Sequence, residues 1–95
     1  MTQKYILNFL STHKQELKTK FAVTKIGLFG SYATNKADKE SDIDIAIEVT
    51  RKDFFLRDDL KEYLEKQFKI SVDIGYIDSF RAFYRKRIDE EIIYV

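Results

Sequence analysis

The chain has 95 residues, enough for one domain with a single core. It is 44% apolar and 35% charged with a formal net charge of +1, which suits a soluble globular protein and gives no case for nucleic-acid binding driven by overall basicity. The absence of cysteine excludes disulfides, zinc–thiolate sites and thiol nucleophiles, and no apolar run approaches membrane-spanning length. Tyr5 to Leu10 is too short and too interrupted for a signal peptide, so the expected location is cytoplasmic. Residues 1–95 read as a single domain without linker, repeat or low-complexity segment.

In chain order, Tyr5, Ile6, Phe9, Leu10, Leu17 and Phe21 recur at helical spacing and predict an amphipathic helix from Thr2, a candidate N-cap, to about Thr19. Val23 to Phe29 has a strand's composition and runs straight into Gly30. A short helix is expected from Ser31 to about Lys36, then a charged loop from Ala37 to Ser41. From Asp42 to Val49 apolar Ile43, Ile45, Ile47 and Val49 alternate with Asp42, Asp44, Ala46 and Glu48, the clearest strand of the chain. A second long helix is predicted from about Asp53 to Gln67, and a third strand from Ser71 to Ile77. Asp78 or Ser79 then caps a helix whose apolar positions are Phe80, Phe83, Tyr84, Ile88 and Ile92. Periodicity leaves open whether Ile92 to Val95 continues that helix or forms a short edge strand. The order α-β-α-β-α-β-α, with that optional last strand, implies an α/β (α+β) fold, a small mixed sheet with helices packed on it.

The chemistry concentrates in Gly30-Ser31, ten residues, then Asp42-Ile43-Asp44. Side chains two apart on a strand share a face, so Asp42 and Asp44 lie about 7 Å apart on one side while Ile43 and Ile45 anchor the other. Two such carboxylates repel unless a cation such as magnesium lies between them. Asp73 has the same parity on the following strand. In register it would bring a third carboxylate to a centre able to hold two metal ions, activate a hydroxyl and steady a departing pyrophosphate. Gly30 allows a tight turn and close ligand approach, and the Ser31 hydroxyl can add a hydrogen bond to phosphate.

Each feature also has a plainer reading. Gly-Ser after a strand is usually a turn, Asp-x-Asp is commonly a turn or a solvated strand face, and Lys36 and Lys39, which could screen phosphate charge, are on a loop where lysines are usually solvated. His13, the only histidine, is expected to pack or lie at the surface. Glu48 shares the acidic parity but lies too far along the strand to ligate. Arg81, Arg85, Lys86 and Arg87 form a basic cluster, either a solvated helix face or a contact for a partner or RNA.

Gly30, Ser31, Asp42, Asp44 and Asp73, with Ala33 and Ser41 inside the motif, resemble the minimal nucleotidyltransferase (MNT) family of the DNA polymerase β-like superfamily. That resemblance implies magnesium-dependent transfer of a nucleoside monophosphate, AMP from ATP, to a hydroxyl acceptor. It assigns the triphosphate to Gly30 and Ser31 and the metals to Asp42, Asp44 and Asp73. It further implies a partner, a HEPN toxin with RNase activity, neutralised by adenylylation of a tyrosine. Two alternatives are an antitoxin that only occludes its partner and an enzyme that modifies small molecules, as the aminoglycoside nucleotidyltransferases do. The chain departs from the family's Gly-Ser-x-Ala-Arg-Gly at Thr34 and Asn35. Asn35 tolerates the left-handed backbone and can keep the turn, whereas Thr34 removes a cation from the phosphate side. Larger relatives carry a helical domain over the nucleotide, so a second subunit is expected to complete this site.

Overall fold

Alternation along the second strand sorts the molecule into layers. In a computed structural model covering residues 1–95, the elements are α1 (Gln3–Thr12), α2 (Lys14–Phe21), β1 (Val23–Phe29), α3 (Gly30–Ala33), β2 (Ile43–Val49), α4 (Phe54–Phe68), β3 (Val72–Tyr76), a 3₁₀ turn (Ile77–Ser79), α5 (Ala82–Glu91) and β4 (Ile93–Tyr94). The strands form one mixed sheet in the order β3-β2-β1-β4, with β2 parallel to β3 and antiparallel to β1.

On one face, Ile43, Ile45 and Ile47 of β2 stand beside Ile26 and Leu28 of β1 and Val72 of β3. Ile6, Leu10 and Leu17 of the first two helices and Leu60, Leu64 and Phe68 of α4 complete the core with them. Burying each such side chain contributes roughly 1.5–3 kcal/mol. Glu65 of α4 accepts the Val72 N–H at 2.9 Å, which ties the helix to the edge strand. No helix is long and apolar enough to cross a membrane.

The opposite face is built differently. Gly27, Ala46 and Gly75 lie side by side across β1, β2 and β3. This row without bulk lets the segment from Phe80 to Tyr94 lie close to the sheet. A Cβ on Gly27 would come within 2.7 Å of Ile92, and one on Gly75 within 2.8 Å of the Phe80 ring.

Several boundaries differ from the sequence-based expectation. The first helix is broken at His13, whose backbone N–H donates to the Phe9 carbonyl at 3.1 Å while its Nδ1 lies 2.8 Å from the same oxygen. Ser11 and Thr12 before it favour helix interiors weakly, so the ladder breaks there. Thr2 does cap α1, accepting the Tyr5 N–H. The expected short helix is one turn, Gly30 to Ala33. Neither Asp78 nor Ser79 caps α5. Lys52 holds both, pairing with Asp78 at 2.9 Å and donating to Ser79 at 3.2 Å. The chain there makes a 3₁₀ turn, Phe80 and Arg81 are extended, and α5 starts at Ala82 without a side-chain cap. Phe83 and Tyr84, expected on its apolar face, are exposed, and Ile88 alone of α5 is buried. The chain end forms the edge strand, pairing Ile93 with Leu28.

Candidate active site

Next to the small-residue row lies the row that holds two of the candidate carboxylates: Phe29, Asp44 and Asp73, paired across β1, β2 and β3. The parallel register sets Asp44 directly against Asp73, as strand parity predicts. Asp42 lies just before β2 and is exposed, as is Asp73, whereas Asp44 is half-buried. Burial first, then the negative charges of Asp73, Asp42 and Glu91, push the Asp44 carboxyl up to about 6.

Gly30 follows Phe29 directly and turns the chain at φ +74, where an L side chain is strained. Its Cα faces Asp44 so closely that a Cβ would lie 2.1 Å from Oδ2. The turn continues through Thr34, whose hydroxyl donates to the Gly30 carbonyl at 3.2 Å, and Asn35, at φ +59. Asn35 therefore adopts the left-handed conformation expected of it, and Thr34 serves the turn. Ser31 is half-buried beside Gly30, and Gln3 ties the far end of α3 to α1 by donating to the Ala33 carbonyl at 2.8 Å.

No three acidic or histidine side chains stand close enough together to form a ready-made metal cage. Magnesium characteristically takes one or two carboxylates and completes its shell with substrate phosphate and water, so the donor set fits that ion. The charges gathered on Asp44 are those that a cation would relieve. The largest concavity, about 600 Å³ between the start of α1 and the loop after α3, contains none of the three aspartates. They lie on an open face.

Two expectations about other residues hold. His13 stacks on Phe9 with ring centroids 4.0 Å apart, a packing role, and Glu48 accepts from Thr24, away from the Asp44 row. Sequence reasoning missed Glu91. Its charge reaches Asp44 because α5 returns over the sheet, and helical spacing alone carries no trace of that return.

The nucleotidyltransferase domain model matches residues 10–95. The chain belongs to the nucleotidyltransferase family. Members of this family use a nucleoside triphosphate and, generally, a divalent metal. Over its whole length the chain is 34% identical to protein adenylyltransferase MntA of Thermococcus cleftensis, covering 97% of that relative. A solved structure provisionally described as a minimal nucleotidyltransferase superposes with a TM-score of 0.81 at 21% identity, over 98% of this chain and 95% of the other. The same fold also recurs in a structure described as tri-AMPylated Shewanella oneidensis HEPN toxin in complex with MNT antitoxin. That match has a TM-score of 0.69 at 22% identity, over 98% of this chain and 71% of the other. The four-stranded mixed sheet with its helices is thus the minimal nucleotidyltransferase fold.

Proposed function

We propose that this nucleotidyltransferase transfers AMP from ATP to a tyrosine hydroxyl of a HEPN-type toxin and acts in the cytoplasm as its antitoxin. The observation that carries the reading is the register of Asp44 against Asp73, with Gly30 in contact range of Asp44. The relative named protein adenylyltransferase, matched end to end, supports the choice of reaction. The fold shared with the antitoxin of a toxin complex supports the choice of partner.

Gly30 and Ser31 meet the triphosphate: the glycine leaves the backbone open to close approach, and the Ser31 hydroxyl donates to a phosphate oxygen. Asp42, Asp44 and Asp73 hold magnesium, as one ion or two, which when bound supplies charge neutralisation to the phosphates. Asp73, exposed at the sheet edge, either holds the ion nearest the attacking oxygen or receives the proton of the attacking hydroxyl. The new bond forms between that oxygen and the α-phosphorus, and the bond to pyrophosphate breaks in line. A partner surface excludes water from a centre that is otherwise open. Phe83 on α5, the helix that packs against the turn beginning at Gly30, is 70% exposed and is a large apolar group suited to such a contact.

The test is labelled ATP incubated with the partner toxin. Asp42→Asn with Asp44→Asn is expected to abolish transfer while the far-ultraviolet spectrum and melting transition stay intact. Full transfer by this double variant would sink the proposal. If the variant transfers nothing yet still protects cells that express the toxin, neutralisation is by occlusion.

A further inference from the structure

We infer that Arg87, tethered by Glu91, is a cation that meets the triphosphate beside Gly30 and Ser31. This rests on the proposed nucleotidyl transfer and adds a residue to it. A triphosphate must approach a face that already carries Asp42, Asp44 and Asp73. The turn itself, Gly30 to Asn35, contains no basic residue. Lys39 lines the cleft near the start of α1, away from Asp42, Asp44 and Asp73. Lys36, exposed just after the turn, can add charge from the loop, and a guanidinium on another element can add to it from the other side.

That element is α5. It packs against α3, the turn that begins at Gly30. Beyond it, β4 pairs Ile93 with Leu28 in antiparallel register. The pairing ends there, and Ile92 and Glu91 before it close α5, so the end of that helix lies near the junction of β1 with α3. Residues 84, 87 and 91 recur at helical spacing, so Tyr84 and Arg87 share the flank of α5 that Glu91 turns toward the site. Glu91 is only 22% exposed and accepts from Arg87 Nε at 3.1 Å. Arg87 itself is 75% exposed. With Nε held, its terminal nitrogens remain free to donate to phosphate oxygens, the geometry in which guanidinium binds best. Glu91 is thereby a positioning residue, and Arg85 is turned the other way, toward Asp89 at 3.9 Å.

Two measurements on the intact chain test this. ATP binding with magnesium, followed by calorimetry without any acceptor, should weaken about tenfold or more in Arg87→Ala, as loss of a charge-assisted contact implies. Adenosine binding should not change, and Arg87→Lys should recover part of the loss. Lys86→Ala, on the outer face of α5, is the control and should match the wild type. In the transfer assay Arg87→Ala should raise KM for ATP more than it lowers kcat, and Glu91→Gln should raise KM to a smaller degree. Unchanged ATP affinity in a folded Arg87→Ala protein would overturn the inference. So would equal losses for adenosine and ATP, since the effect would then not come from phosphate. Either result leaves the role of the aspartates standing, because Asp42→Asn with Asp44→Asn decides that separately.

Discussion

Gly30 and Asp44 are in contact through the space where a side chain would be: a Cβ on the glycine would lie 2.1 Å from the Asp44 Oδ2. The end of β1 and the middle of the acidic row are therefore one fitted unit, joined by the pairing of Phe29 with Asp44. Gly30→Ala must displace that carboxylate and also hold an alanine at φ +74. The backbone cost alone is about 1–2 kcal/mol. Urea melts should show a loss of that order, and the transfer rate should fall at least about tenfold because a misplaced metal-binding group is costly. An alanine variant with wild-type transfer would show that the close approach has no part in the chemistry.

Asp44 makes stability depend on pH. Its carboxyl titrates near 6 in the folded chain against 3.8 as the ordinary value, because it is half-buried beside Asp73 and Asp42. Between those two values the folded state holds a proton that the unfolded state has released. Stability therefore falls as pH rises through this window and stays lower above it. Two units at full effect would be about 3 kcal/mol, but solvent screening of a half-exposed group reduces the expectation to about 1 kcal/mol. In metal-free urea melts, Asp44→Asn should be the more stable protein at neutral pH by about that amount and should lose the difference near pH 4. Transfer should run the opposite way, declining at acid pH and at a lower pH the more magnesium is supplied, because protons compete with the ion for the carboxylate proposed to hold it. A flat stability profile without metal would mean that Asp44 ionises like a solvated aspartate.

Much of this site was legible in the sequence because strands have a period of two. Ile43 and Ile45 could only face a core, which forced Asp44 to the other side, and the same parity on Ser71 to Ile77 put Asp73 beside it. The helix N-cap at Thr2 was legible for a similar reason, since a short oxygen-bearing side chain precedes the apolar run, and Asp53, where the second long helix was expected to begin, is the cap of α4. Position along the chain failed where long-range contacts decide. Asp78 has the right chemistry for a cap, but Lys52, far earlier in the chain, takes it. Phe83 and Tyr84 fall at helical spacing with Ile88, yet the row of Gly27, Ala46 and Gly75 accommodates Phe80 and Ile92 and leaves these two outside. Glu91 was invisible for the same reason, since its place depends on β4 pairing back with β1.

That small-residue row yields the last prediction, a contrast between its two glycines. At Gly27 a Cβ would meet Ile92 Cγ1 at 2.7 Å and Cδ1 at 2.8 Å, with Tyr94 at 2.9 Å. Ile92 leads directly into the pairing of Ile93 with Leu28, and it follows Glu91, so it has little freedom to retreat. At Gly75 the intruding atom meets Cε1 and Cζ of Phe80, the outer edge of a ring that turns about two bonds. Gly27→Ala should cost about 1–3 kcal/mol, in the range of overpacking a filled interior, and should speed amide exchange at Ile93 and Val95. Gly75→Ala should cost less than about 1 kcal/mol, with the Phe80 ring swung toward solvent and its edge contact with Phe29, now at 5.4 Å between centroids, lost. Equal costs at the two glycines, or protected amides in the Gly27 variant, would show that β4 and the end of α5 are not held against the sheet by this row.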